Sequence, residues 1–324
     1  MRSQAASALV TPRIAQAHVA VFRLRFAEAE KLLAQERSID AGNLMVDLEE
    51  VTIAFLKAFI SEETAFRQAF DVRAAATLRA AARMNEGEVP AFIRCEVLLQ
   101  QSLLAARFGD YLHAAMDFRS CHAWLEEYRS IYPDCAPLGL IQGVLETILE
   151  SIPPRYDWVL SVAGMNITRG KGGRELSTFY QKLKSPSLAH HREEFLFLSA
   201  QLQLSLHPEL IPDKDFMNEL AGVSGKNELV MFAYTGLLMR HRGNDEAIAL
   251  LENTVKDANV YPFPALRYRL GTARLRKSDP GCVGDFAFFL MNYRGNEMRK
   301  SAWQKIGWMR LLQGDKQGYF QAME

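Results

Sequence analysis

Lys300-Ser301-Ala302-Trp303-Gln304-Lys305-Ile306-Gly307-Trp308-Met309-Arg310-Leu311-Leu312-Gln313-Gly314 is the stretch whose spacing decides the fold. Counted from Lys300, a large apolar residue stands at position 4 (Trp303) and an aliphatic-small pair at 7 and 8 (Ile306-Gly307). Arg310 follows at 11 and a turn glycine, Gly314, at 15. Residues three, four and seven apart share a helix face, so Trp303, Ile306, Gly307 and Arg310 lie on one side. A glycine on that side lets a second helix come close. The frame recurs upstream as Phe232, Thr235, Gly236, Met239 and Gly243, and Leu270-Gly271 fill its aliphatic-small slot again. Gly236, Gly271 and Gly307 are 35 and 36 residues apart. A period of that length means stacked supersecondary units rather than one closed core.

The partner helix has its own signature. Gly109-Asp110-Tyr111-Leu112-His113-Ala114, with Phe118 four residues on, reads as a turn followed by a helix that is small where it meets its mate. Phe26, Ala29 and Leu33 repeat that spacing more weakly near the start. Taken together, the pattern resembles the tetratricopeptide-repeat superfamily, whose units run to about 34 residues. The resemblance implies an all-α, tetratricopeptide-like α-solenoid, a right-handed superhelix of antiparallel helix pairs. Close packing is then expected at Gly236 and Gly307.

Composition agrees with a helical array. Hydrophobic residues make up 49% of the 324, enough to line a continuous interior, while proline is scarce and alternating β-branched runs are nearly absent. Apolar periodicity and breakers predict helices over 12–24, 26–36, 43–60, 62–83, 90–108, 110–131, 137–151, 155–164 and 173–184. Further helices are predicted over 190–206, 212–221, 226–241, 244–257, 263–276, 282–293, 296–313 and 315–324. Glycines 164, 170, 172 and 173 with Arg169, Lys171 and Arg174 read as a solvated loop. The expected organisation is an irregular helical half over 1–152, a loop-rich junction over 153–176, and a regular repeat array over 177–324.

Few constellations carry chemistry. A phosphate-binding loop needs four residues between its first glycine and Gly-Lys, then Ser or Thr. Here five residues separate Gly164 from Gly170-Lys171, and Gly172 stands in the hydroxyl position. His190-His191-Arg192-Glu193-Glu194 places His190 one turn from Glu194, but the sequence offers no complementary ligand cluster, so it reads as a solvated helix start. Cys121-His122 reads as part of a packing face. Cys95, Cys121, Cys135 and Cys282 show no C-x-x-C pair and read as buried thiols, with pairing among the first three left open. No nucleophile elbow and no H-E-x-x-H is present. The expectation is no enzyme, no cofactor and no metal.

The 38 basic and 38 acidic side chains cancel, which disfavours nucleic acid as a partner. The distribution is uneven: residues 261–324 hold 11 Lys/Arg against 5 Asp/Glu. No apolar run reaches the roughly 18–20 residues of a transmembrane helix. The last unit would end about 34 residues after Lys300, beyond Glu324. A longer natural chain, or self-association over Tyr319, Phe320 and Met323, is therefore expected.

A closer resemblance rests on Phe55-Leu56-Lys57-Ala58-Phe59-Ile60-Ser61-Glu62, Arg107-Phe108-Gly109-Asp110-Tyr111 and Tyr132-Pro133-Asp134. It also rests on Ile152-Pro153-Pro154-Arg155-Tyr156-Asp157-Trp158-Val159-Leu160 and on Lys300-Ser301-Ala302-Trp303-Gln304-Lys305-Ile306-Gly307-Trp308. Over most of its length the chain resembles a family of tetratricopeptide-repeat proteins common in Bacteroidota. More distantly it is similar to the eukaryotic tetratricopeptide family linked to mitochondrial and inclusion-body functions. The bacterial resemblance implies a periplasmic or envelope setting where an export signal has been removed, and otherwise a cytoplasmic one. It implies no catalytic residues.

The function expected is a non-enzymatic scaffold that binds a protein or peptide on the concave face lined by the first helix of each pair. In the frame set by Trp303 that face carries Tyr234, Arg240, Tyr268, Arg269, Arg276, Gln304, Lys305 and Trp308. Aromatic and arginine side chains are the types that most often dominate an interface. The local positive charge calls for an acidic partner. Two alternatives are a structural subunit of an envelope assembly and a small-ligand binder using the 164–174 loop with His190 and His191.

Overall fold

The computed structural model describes residues 10–152, 165, 168–207, 212–253 and 257–324. The chain is 78% helical, with no strand among the described residues. Sixteen α-helices are described, together with one short 3-10 helix. They fall into two compact units, one of residues 10–59 and 64–207, the other of residues 60–63 and 212–324. None of the helices described is long and apolar enough to cross a membrane.

The first unit contains α1 (Pro12–Phe22), α2 (Phe26–Ile39), α3 (Leu44–Ser61, to residue 59), α4 (Thr64–Arg83), α5 (Glu88–Arg107), α6 (Tyr111–Ile131), α7 (Ala136–Glu150), α8 (Lys171–Lys182), a 3-10 helix (Pro186–His191) and α9 (Arg192–Leu206). Helix α1 shows how local chemistry sets an end. Thr11 accepts a hydrogen bond from the Ile14 N–H, Pro12 occupies the first turn where its missing donor costs nothing, and Ile14, Ala17, His18 and Val21 face inward. Helices α5 and α7 bury residues on every side, as their lack of a polar stripe requires.

The second unit contains α10 (Lys214–Ser224), α11 (Glu228–Arg240), α12 (Asn244–Glu252), α13 (Ala265–Leu275), α14 (Cys282–Asn292), α15 (Arg299–Leu312) and α16 (Lys316–Met323). Phe286, Phe289, Tyr293, Ile306 and Met309 form one core between α14 and α15. Gly271 faces the Phe286 ring, where an added Cβ would stand 3.0 Å from Cε1. Gly307 faces Tyr319, at 3.3 Å.

One turn is used five times. The residues Leu24, Gly109, Arg242, Ser278 and Gly314 have left-handed backbone with φ between 56° and 78°. In each case the next residue's N–H returns to the carbonyl five residues earlier: Arg25 to Ala20, Asp110 to Ala105, Gly243 to Leu238, Asp279 to Arg274 and Asp315 to Arg310, at 2.8–3.0 Å. This 6→1 bond satisfies the orphan carbonyls of a helix end and turns the chain back on itself. It joins α1 to α2, α5 to α6, α11 to α12, α13 to α14 and α15 to α16. In the second unit the left-handed residues 242, 278 and 314 recur every 36 positions.

The glycine-basic segment departs from expectation. Gly164 and the helix predicted over 155–164 lie outside the described residues, as does most of 153–176. The part described is helical from Lys171 and is not a solvated loop. Glu150, ending α7, accepts the Gly170 and Gly172 N–H groups at 2.9 and 2.8 Å. A carboxylate there satisfies the free donors of the α8 N-terminus and complements its dipole. Gly172 is buried against Thr147, and Gly143 against Leu176, so α7 and α8 pack backbone to backbone.

Candidate functional site

In the second unit, α13 and the residues just after it carry basic side chains with two different fates. Arg267 and Arg274 donate to the two oxygens of buried Asp285, at 3.1 and 2.6 Å, and Arg274 also reaches Glu252 at 2.7 Å. Lys277 pairs with Asp245 at 2.6 Å. Arg269 and Arg276, seven residues apart and so on a common face, make no ion pair with any described residue. Arg276 donates to the Met239 carbonyl at 2.5 Å. The Arg269 guanidinium lies 4.0 Å from the Phe232 ring centroid, and its Nε is buried with no hydrogen-bond acceptor. Burial lowers the pKa of Arg269 to about 10, and the nearby charges of Arg276 and Arg240 push the same way.

The other expected groove residues are distributed around these. Arg240 is exposed at the end of α11. Lys305 of α15 donates to the Tyr268 hydroxyl at 2.8 Å and to Ser301 at 2.5 Å, tying α15 to α13. Gln304 is half-buried, while Trp308 is 45% exposed. Tyr234 is not on this surface. It is only 4% exposed, and its hydroxyl donates to Glu246 at 3.0 Å. Helix α11 is apolar on all sides and is enclosed by its neighbours, so no outward position was open to Tyr234.

The first unit holds a polar cluster that the sequence reading missed. His18 comes from α1, Glu49 from α3, Glu96 from α5, His190 and His191 from the 3-10 helix, and Glu194 from α9. His190-His191-Arg192-Glu193-Glu194 is therefore not a solvated helix start: His191 and Glu194 are each 6% exposed. Two tethers bring this segment in. Arg23 grips Glu193 through Nε at 2.9 Å, and Phe179 and Tyr180 pack on Phe195. His18 Nδ1 is 2.9 Å from Glu49 Oε1, and its Nε2 is 3.1 Å from Glu194 Oε2. The same Glu194 oxygen is 2.6 Å from His191 Nδ1. Glu96 accepts from Gln100 at 2.8 Å, and Gln100 also donates to Thr52. The signal that pointed here is His18 itself, set among the inward apolar residues of α1.

Charge in this interior is set by competition. Burial works against the His18 imidazolium, but Glu49 and Glu194 override it and raise its pKa to about 10. Burial likewise opposes ionisation of Glu194, and the His18 and His191 contacts reverse that, holding it below the usual carboxylate range. Glu96 moves the other way: burial and the Glu194 charge raise its pKa. Burial, then His191 and His18, push His190 down to about 2.

These directions predict a stability optimum in weak acid for the metal-free protein. His18, raised above its unfolded 6.5, stabilises fully below that value and loses its contribution as pH rises toward 10. Glu96, raised above 4.5, also favours the folded state less as pH climbs. Glu194 loses its contribution as pH falls below 4.5, and His190 loses its own below 6.5. Between those values His190 and Glu96 oppose one another. Outside them each unmatched proton changes stability by ~1.4 kcal/mol per pH unit. Melting temperatures measured from about pH 4 to about pH 10 should fall on both sides; a steady rise into alkali would contradict the assignment.

A second polar group, His122, Glu126 and Glu146, lies between α6 and α7. It already contains a cation, since Lys171 Nζ stands 2.9 Å from Glu126 and 2.7 Å from Glu146. All four cysteines are free and buried. In comparisons with known proteins, the chain matches no family model, no curated protein and no solved structure.

Proposed function

We propose that the second unit is a tetratricopeptide-like α-solenoid segment and that the protein is a non-enzymatic scaffold for a partner bearing carboxylate. The 36-residue recurrence of one turn supports the first half, because equal units joined by equal turns stack with a constant rotation. The observation that carries the second is the uncompensated pair Arg269 and Arg276. Arg267 and Arg274, each two residues from one of this pair, have an acidic partner in Asp285, whereas Arg269 and Arg276 have none among the described residues. The Arg269 guanidinium is held over the Phe232 ring with no carboxylate beside it among the described residues, so a planar carboxylate on the partner is the complement we assign to it. Exposed Trp308 beside Lys305 supplies apolar contact for the same ligand. Exposed Trp303, Leu312 and Phe320 favour the alternative of an assembly subunit.

Fluorescent peptides ending in Asp-Glu, with free or amidated C-termini, test the scaffold reading. Binding should weaken as salt rises, since exposed charges are screened beyond ~8–10 Å near physiological ionic strength. Arg269→Ala should reduce affinity about tenfold, ~1.4 kcal/mol, and Arg267→Ala much less. Equal binding of acidic and neutral peptides, or binding indifferent to Arg269, would remove the proposal.

A further inference from the structure

Two groups of histidine and carboxylate exist among the described residues; the His18 group is wholly buried, whereas Glu126 of the second is exposed, and their counter-charges differ too. Between α6 and α7 the negative charge of Glu126 and Glu146 is met by Lys171. Around His18 no lysine or arginine is among the described residues that line the interior, although Glu49, Glu96 and Glu194 converge there. Carboxylates in an apolar interior are costly unless paired or bound to a metal. Among the described residues of this cluster, the counter-ions are imidazoles.

The geometry goes beyond a charge count. His18 Nε2 and His191 Nδ1 both aim at Glu194 Oε2, at 3.1 and 2.6 Å, and the ligand atoms of the three residues lie within 4.8 Å of one another. Around a tetrahedral ion with bonds near 2.1 Å, neighbouring ligand atoms stand about 3.4 Å apart. A shift of under about 1 Å at His191 would open that space. His18 is already oriented for the task. Its Nδ1 donates to Glu49, which leaves Nε2 as the ligand and reproduces the carboxylate-histidine-metal arrangement that fixes ring and tautomer. Glu49 is 3% exposed and lines the adjoining cavity, and its second oxygen has no hydrogen-bond partner. That cavity measures about 20 Å³, room for one water.

We propose that His18, His191 and Glu194 bind a divalent transition-metal ion inside the first unit, with Glu49 orienting His18 and a cavity water completing the coordination. Two imidazoles and a carboxylate suit a borderline ion such as Zn²⁺. The site is independent of the arginine face of the second unit, so either reading stands or falls without the other.

The test uses the untagged full chain, stripped with chelator and then dialysed against Zn²⁺ or titrated with Co²⁺. One equivalent of zinc per chain by mass spectrometry, a visible Co²⁺ band typical of four-coordination, and a higher melting temperature with Zn²⁺ than with Mg²⁺ are expected. His191→Gln should abolish the stoichiometric ion, while Glu49→Gln should keep one site and weaken it 10–100-fold, the usual effect of losing an outer carboxylate. Glu126→Gln should change neither. If His191→Gln fails to fold, the Glu49→Gln affinity and the zinc-dependent melting shift decide. No retained ion, binding that survives His191→Gln, or binding lost in Glu126→Gln would each overturn the assignment.

Discussion

Gly172→Ala is expected to destabilise the first unit by about 3 kcal/mol, at the upper end for overpacking, while Gly173→Ala, one residue on, stabilises it by ~0.5–1 kcal/mol. The opposite signs follow from what each Cβ would meet. At Gly172 it would lie 2.5 Å from the Thr147 backbone nitrogen and 2.9 Å from its Cα. Backbone cannot rotate away, so α7 and α8 must separate. Gly143 makes the reciprocal approach, where a Cβ would fall 2.8 Å from Leu176 Cγ. At Gly173 there is nothing within 4 Å, so alanine there only lowers the entropy lost on forming the helix. In a unit of this size each kcal/mol moves the melting midpoint by about 2–4 °C. The first variant should therefore lose roughly 6–12 °C and the second gain a few. Calorimetry on both, with attention to separate transitions for the two units, checks this; equal melting of the two variants would mean that α7 and α8 do not touch at Gly172.

Glu194→Ala in the metal-free protein should cost about 3–5 kcal/mol, the range for removing one member of a buried ion pair. Glu194 receives both His18 and His191 on one oxygen. Without it the His18 imidazolium keeps Glu49 alone and faces His191 at a ring separation of 4.6 Å. The loss comes from the unpaired groups left behind more than from the bond removed. Replacing both ends should therefore cost less than the sum: the His18→Leu/Glu194→Leu double variant is expected to recover more than 1 kcal/mol relative to additivity. Urea unfolding of His18→Leu, Glu194→Leu and the double gives the coupling directly. Strict additivity would show that His18 and Glu194 do not interact.

The helical content and most hairpin turns were legible because they depend on local chemistry. Gly109-Asp110 and Gly314-Asp315 announce a left-handed residue followed by a side-chain cap, and both behave so in the fold. The equivalent turns at Leu24 and Ser278 were legible as breaks between predicted helices but not as left-handed residues, since neither residue type favours that backbone and the surrounding structure imposes it. The buried cluster was hidden for another reason. His18 meets Glu49 across 31 residues and Glu194 across 176, and no local pattern encodes such pairing. The run 190–194 looks solvated when read alone, because three of its five residues are charged. Among the residues expected on the groove, Tyr234 is the one the structure buries. There the frame supplied an outward position, but the all-round apolar character of α11 placed the side chain inside.

The four thiols have a practical consequence. Cys95, Cys121 and Cys135 lie in the first unit and Cys282 in the second, each 0–7% exposed. Burial raises every one of their pKa values, to about 11 for Cys135 and Cys282 and further for Cys121, so little reactive thiolate exists at neutral pH. An alkylating reagent must wait for the helices around a thiol to open. The mass added per molecule then becomes a clock with two hands: three increments time the opening of the first unit and a single increment times the second. The wild-type chain thus carries its own site-resolved reporters of breathing motions, with no label or tryptophan engineered into it.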